Sequence, residues 1–319
     1  MEFIEQLING LNLGSIYALM ALGYTMVYGI AKMLNFAHGD IIMVGAYTLS
    51  VAIATLKFPP ALAIIVSMAV CSLLGITVEK IAYKPLRNAS PLTVLITAIG
   101  VSYFLQSLAL LIFGSNQRKV ESVITNLDFL GGAGGLRGIT KYKSTASAFT
   151  AVFVVLVLTV IIIRNLVKSR HGRAICSIRD NVIASESVGI NVVFYKLLAF
   201  VTAAFFAGIA GVLYGHNLGI LKPNTFDFNK SIEILVIVVL GGMGSITGSI
   251  ISAIVITLLP EVLRGLEDYR LLIYAVVLIA MMLLNNNPKF NALKDTLKGK
   301  LLQLRPAKKA SDSAEKEAD

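Results

Sequence analysis

Charge is what this sequence has least of. Only 14% of its 319 residues are Asp, Glu, Lys or Arg, against roughly 25% in an ordinary soluble chain. With 56% hydrophobic residues beside it, that shortage excludes both a soluble enzyme and a disordered chain. Tryptophan is absent, which leaves interfacial anchoring to the 11 tyrosines. The two cysteines, Cys71 in an apolar run and Cys176 in a basic stretch, sit too differently for a disulfide framework, and neither points to redox or metal chemistry. No phosphate-cradling G-x-x-x-x-G-K-[ST] loop occurs, since Gly299 and Lys300 run on into Leu301 and Leu302. HExxH, CxxC and GxSxG are missing too. No catalytic residue, cofactor or metal site is therefore expected, and any energy source lies in another subunit or in a gradient.

What the sequence does have is apolar runs. Crossing the hydrocarbon core takes about 20 apolar residues as a helix, because backbone N–H and C=O groups find no water there. Eight segments are candidates, 11–30, 41–56, 61–78, 92–113, 145–163, 197–221, 232–259 and 271–284, of which the second and last are short and either tilt little, borrow flanking residues or are partly re-entrant. All lack Asp, Glu, Lys and Arg except for Glu233 near one end. The expected fold class is all-α and polytopic, with one transmembrane domain over 1–287 and a basic tail, 288–319, disordered at its end. The residues before the first segment carry Glu2 and Glu5 and no basic side chain, so that segment is expected to be retained rather than cleaved as a signal peptide.

The net charge of +10 belongs to the loops, and it reads as membrane orientation rather than as nucleic-acid binding. Eight single crossings would leave most Lys and Arg outside. If 232–259 instead breaks and returns to its side of entry, 18 of the 28 lie inside and 10 outside. That segment is too long for one straight span and is interrupted by Gly241, Gly242 and Gly244, which supply the backbone angles of a broken or re-entrant helix. The alternative is a single tilted helix with a weak kink. The N-terminus is then outside and the C-terminus cytoplasmic.

Two loops stand out. The outer gap 114–144 carries a glycine cluster at 131–135 and fits either an external docking element or a plain surface connection. The inner loop 164–196 carries six Lys or Arg and is long enough for short helices of its own. Asp180 or Asn181 can cap one of these and Gly189 can end it. The result suits a cytoplasmic partner, or an interfacial helix on anionic headgroups.

Small residues recur at four-residue spacing, among them Gly10 with Gly14, Gly211 with Gly215, and Gly244 with Gly248. In lipid such faces are helix-packing seams. Asn12, Ser15, Tyr17 and Tyr24 in the first span, and Thr97, Ser102 and Gln106 in the fourth, could line a path for a zwitterion or simply bond to neighbouring helices. No carboxylate, lysine or arginine falls in mid-span by this reading, which disfavours proton-coupled transport. His216 is the lone titratable exception and reads as an interfacial or hydrogen-bonded histidine. Asn35 and Asp40, flanking Gly39, read as a structural cap for the second span at a cytoplasmic turn.

Several stretches closely resemble the branched-chain amino acid ABC transporter permease family. They are INGLNLGSIYALMALGYTMVYGI (8–30), LNFAHGDIIMVGAY (34–47), EKIAYKPLR (79–87), LITAIGVSYFLQ (95–106), GRA (172–174), ASESVGIN (184–191) and LGGMGSITG (240–248). They run in order through most of the chain, and NFAHG is the sharpest of them. The near-immediate start on GLNLGSIYAL is similar to the LivH-type subunit rather than to its LivM-type partner. The resemblance implies a bacterial inner-membrane permease working with a LivM-type second permease, ATP-binding cassette subunits and a periplasmic solute-binding protein. It also implies that Ala184, Ser185, Glu186 and Gly189 lie where such permeases place the coupling helix, here in the reduced form A-S-E-S-V-G. The expected substrates are leucine, isoleucine and valine. The alternatives are another small polar solute such as urea, an amide or another amino acid on the same architecture, or a gradient-driven transporter or channel.

Overall fold

The computed structural model describes residues 2–31, 35–86, 89–120 and 141–262, with six more helical positions between 272 and 283. The glycine cluster 131–135, the tail 288–319 and most of the eighth segment lie outside the described residues. The chain divides into Met1–Glu267 and Asp268–Asp319. In the second unit, residues 272, 275, 276, 279, 280 and 283 are helical and exposed.

The all-α expectation holds. In order, the elements are α1 (Glu2–Ala31), α2 (His38–Ala54), α3 (Pro60–Val78), α4 (Pro91–Phe113), β1 (Arg118–Lys119), α5 (Lys141–Lys168), α6 (Arg170–Asp180), α7 (Val182–Ser187), α8 (Val192–Leu218), β2 (Ile220–Leu221), α9 (Phe228–Gly241) and α10 (Ile246–Val262). A π-helical turn, Glu79–Tyr83, extends α3, and a 3-10 turn, Pro223–Phe226, precedes α9. Among the described residues, five helices are long and apolar enough to cross a membrane: Leu7–Tyr28, Pro60–Leu86, Leu92–Phe113, Phe149–Lys168 and Val192–Leu218. Their starts follow local chemistry. Ser90 caps α4 and Asn191 caps α8 through side-chain oxygens that accept backbone N–H groups, and prolines open α3 and α4, where a missing N–H costs nothing.

The helices wrap α1. Its apolar stretch is 89% buried, against 22% for those of α4 and α5. The outer helices instead expose Ile96, Phe104, Leu111, Phe153 and Leu158. Water would not tolerate so continuous an apolar surface, but hydrocarbon does.

Direction follows from cross-helix neighbours. Helix α8 runs antiparallel to α1, with Asn12 bonded to Asn217 at one level and Gly23 against Ala203 at another. It runs parallel to α2, with Gly45 on Gly208 and Ala46 beside Gly215. At Gly211 a Cβ would stand 2.3 Å from the carbonyl oxygen of Ile42, so this seam closes only on glycine. Where α4 and α8 end, β1 pairs antiparallel with β2, and Tyr47 stacks on Phe113 at 4.5 Å.

The seventh segment is broken. Helix α9 ends at Gly241, and the turn at Gly242 and Gly244 has φ of 88° and 84°, in the left-handed region that favours glycine. Helix α10 then runs back antiparallel to α1, with Ser249 beside Thr25 and Thr257 against Gly14. Gly248 lies directly against the backbone of Gly241, so the two halves touch where they diverge. The first turn of α9 and the far end of α10 therefore point toward the same end of α1.

Candidate functional site

Helix α2 does not start in a surface turn. Asn35, Phe36, Ala37, His38 and Asp40 are all buried, with His38 and Asp40 at 0% exposure. The Nε2 of His38 lies 3.3 Å from the carbonyl oxygen of Met20, two-thirds of the way along α1. This corrects the expectation of a cytoplasmic cap. The N-cap is Ala37, without a side-chain cap bond, and Asn35 Oδ1 accepts instead from Ala37 N at 3.1 Å and from the Tyr83 hydroxyl at 3.0 Å. Those two bonds fold the NFAHG stretch inward. Gly23 leaves just enough room for the His38 ring, whose Cε1 would stand 3.3 Å from a Cβ there.

A buried carboxylate nonetheless stands at the start of an apolar helix. Asp40 sits in the first turn of α2, and neither of its oxygens closes a well-formed hydrogen bond among the described residues. Its polar neighbours are Ser102 and Gln106 of α4, joined to each other at 3.1 Å from Gln106 Nε2 to Ser102 Oγ. The Tyr24 hydroxyl, Asn35 Nδ2 and His38 Nδ1 are also buried without a hydrogen-bond partner among the described residues. So many unmet polar atoms around one helix start are unusual, because such groups normally find partners. The cluster is polar by construction, and packing does not explain it.

A second cluster borders it at the start of α9. Asp227 caps this helix, accepting from Lys230 N at 3.2 Å. Ser231 Oγ accepts from Gly39 N at 2.9 Å, which joins the first turns of α9 and α2. The Lys230 ammonium donates to the Tyr17 hydroxyl and to Glu233 Oε2, each at 2.7 Å, and lies over the rings of Tyr17 and Tyr214 at 5.1 and 5.5 Å. Tyr17 and Tyr214 meet edge to face at 6.1 Å.

Of the seven residues singled out as a path, Tyr24 belongs to the buried cluster around the start of α2, and the other six divide accordingly. Ser102 and Gln106 meet at Asp40, Tyr17 binds Lys230, and Asn12 Nδ2 donates to Asn217 at 3.1 Å. The hydroxyls of Ser15 and Thr97 return to the carbonyls of Leu11 and Thr93 on their own helices. Among the glycines, Gly10 is buried, Gly14 faces α10, Gly211 and Gly215 face α2, and Gly248 faces Gly241, whereas Gly244 belongs to the turn. His216 is half-buried in the last turn of α8. Sequence reasoning read Asn35 and Asp40 only as a cap and missed His38, Lys230 and Ser231. The available signal was that 41–56 is too short to span, which called for extending it backward through Asp40.

The loop 164–196 folds into α6 and α7. Ser169 caps the first and Asn181 the second, with Asn181 Oδ1 accepting from Ala184 N at 3.0 Å. Ser185 is buried, its hydroxyl donating to Asn181 O at 2.8 Å, while Ala184, Glu186 and Gly189 are exposed. Gly189 takes φ of 83° after α7, and Ile183 and Val188 stand 80% and 74% exposed beside it.

Apolar helices around a polar interior, with one helix starting inside and another broken, define a multi-pass membrane transport protein. The chain belongs to the family described as branched-chain amino acid transport system / permease component, which matches residues 6–284. It is 36% identical over 264 residues to the high-affinity branched-chain amino acid transport system permease protein BraD of Pseudomonas aeruginosa, covering 80% of this chain and 84% of that one. It is 35% identical over 263 residues to the corresponding LivH protein of Escherichia coli, covering 80% and 83%. The LivM protein of the same organism is 26% identical over 298 residues, covering 84% of this chain and 66% of its own length. No solved structure gives a significant match.

Proposed function

We propose that the chain is the LivH-type permease subunit of an ATP-driven importer of leucine, isoleucine and valine. The similarity to BraD and LivH proteins over four-fifths of the chain carries this reading. The partners are a LivM-type second permease, ATP-binding cassette subunits and a periplasmic solute-binding protein, assembled in the bacterial inner membrane. ATP is hydrolysed in the cassettes, because this sequence offers no phosphate-cradling loop. The permease domain covers 1–287, and 288–319 is a cytoplasmic tail. With the N-terminus outside and the C-terminus inside, α6 and α7 face the cytoplasm, in keeping with the placement of Lys and Arg.

Coupling runs through Ala184, Ser185, Glu186 and Gly189. The exposed apolar pair Ile183 and Val188 gives a partner something to grip, and the caps on α6 and α7 hold it in place. Import then amounts to a shift between two arrangements of the helices, biased by the partners' contacts with α7. The path follows the inner faces of α1, α4 and α9, past Tyr17, Ser102 and Gln106, with Asn12 at the outer end; Ser15 and Thr97 lie along the same helices.

The test is uptake of labelled leucine by a bacterial strain stripped of its own leucine carriers and supplied with the complete importer. Saturable, ATP-dependent uptake that competes with isoleucine and valine is expected. Uptake of urea or an amide in preference to leucine would move the substrate to another small polar solute, and uptake persisting without ATP or the cassettes would overturn the importer.

A further inference from the structure

Asp40 is fully buried, neither of its oxygens closes a well-formed hydrogen bond among the described residues, and the charge it feels is that of another carboxylate, Asp227, half-buried at the cap of α9. An unpaired ionised group at membrane depth is rare and is kept for function. The start of α2 offsets part of its charge, since a helix N-terminus favours an anion, but no cation among the described residues pairs with it. Ser102 and Gln106 beside it are neutral and already bonded to each other. The site therefore lacks a compact cation with several N–H donors, and two carboxylates of graded burial lead toward it from Asp227 to Asp40.

We propose that Asp40 receives the α-ammonium group of the transported amino acid, with Ser102 and Gln106 completing its hydrogen bonds and Asp227 drawing it in. An ammonium carries three donors, and a carboxylate with two adjacent side-chain oxygens accepts all three. This inference rests on the proposed import of amino acids and adds to it the residue that would recognise their common end. It also accounts for how one site could pass leucine, isoleucine and valine alike, because the group it holds is the same in all three.

The experiment compares wild type with Asp40→Asn in the complete importer, measuring leucine uptake, the amount of protein in the membrane and the thermal midpoint of the solubilised chain. Uptake is expected to fall at least tenfold at unchanged abundance, while the midpoint stays or rises, because removing an unpaired buried charge relieves the fold. Uptake within twofold of wild type, or a lost uptake accompanied by a lowered midpoint, would overturn the proposal, the latter marking Asp40 as structural. Ser102→Ala provides a milder second variant, expected to lower uptake several-fold; no change there removes Ser102 from the site.

A second arm uses the purified full chain in lipid nanodiscs with three probes at millimolar concentration: leucine, 3-methylbutylamine, which lacks the carboxylate, and 4-methylpentanoate, which lacks the ammonium. The first two are expected to raise the thermal midpoint of wild type and not of Asp40→Asn. Equal protection by 4-methylpentanoate, or protection by none of the three, counts against the site. Absence of leucine uptake by the wild-type importer would instead strike the function proposed above, and protection by the amine alone would leave the ammonium site standing.

Discussion

The backbone N–H of Gly39 donates to the hydroxyl of Ser231 at 2.9 Å across 192 residues of sequence. The bond joins the buried start of α2 to the first turn of α9, so the half-helices that begin inside the protein are fixed to each other. A Cβ on Gly39 would stand 2.8 Å from the same hydroxyl oxygen.

Ser231→Ala should leave the Gly39 N–H buried and unmet, at a cost of about 1–3 kcal/mol. Gly39→Ala should be destabilising in wild type and less so in the Ser231→Ala background, where the clashing oxygen is gone. A double-mutant cycle of thermal midpoints checks this; strict additivity would mean that the two residues do not share the contact.

The seam between α2 and α8 should tolerate no side chain at Gly211. Gly211→Leu is expected to abolish folded, monodisperse protein on size exclusion, because a Cβ alone already meets the Ile42 carbonyl oxygen at 2.3 Å. Gly100→Ala is the control, with nothing within 4 Å of its Cβ, and should be neutral or slightly stabilising.

Lys230 holds α9 to α1 and α8 through Tyr17, Tyr214 and Glu233. Lys230→Met is expected to lower both folded yield and leucine uptake several-fold, since it leaves Glu233 without its cation and removes the contact with the Tyr17 and Tyr214 rings. The double variant Lys230→Met with Glu233→Gln should recover yield but not uptake, because removing both charges costs less than stranding one. If the double variant folds no better than the single one, the pair is not what limits stability.

Gly189→Val places a β-branched residue at φ of 83° immediately after α7. Uptake and leucine-stimulated ATP hydrolysis should both drop several-fold while the subunits still copurify. Ile183→Asp, which breaks the exposed apolar patch without straining the backbone, should weaken copurification of the cassettes instead. Unchanged coupling in both variants would remove α7 from the transmission path.

The legible part of this protein was whatever depends on neighbours in sequence. The run of Gly241, Gly242 and Gly244 foretold the break between α9 and α10, because left-handed angles are a local demand. Asn181 and Gly189 likewise bounded α7, since a cap needs only the next few residues. Asn35 and Asp40 were misplaced for the opposite reason. Read locally, NFAHGD is a polar turn between two apolar runs, and only the shortness of 41–56 hints that it is carried inward.

The sequence by itself determined a helical membrane protein with its charges kept to the loops and one interrupted segment, because hydrocarbon leaves a backbone no alternative to internal hydrogen bonds. Only the tertiary structure decided where its few polar groups meet. The bonds of Tyr17 to Lys230 and of Gly39 to Ser231 span 213 and 192 residues. Both form because glycine faces on α1, α2 and α8 let those helices approach closely enough to bring the start of α2, with Asp40, inside.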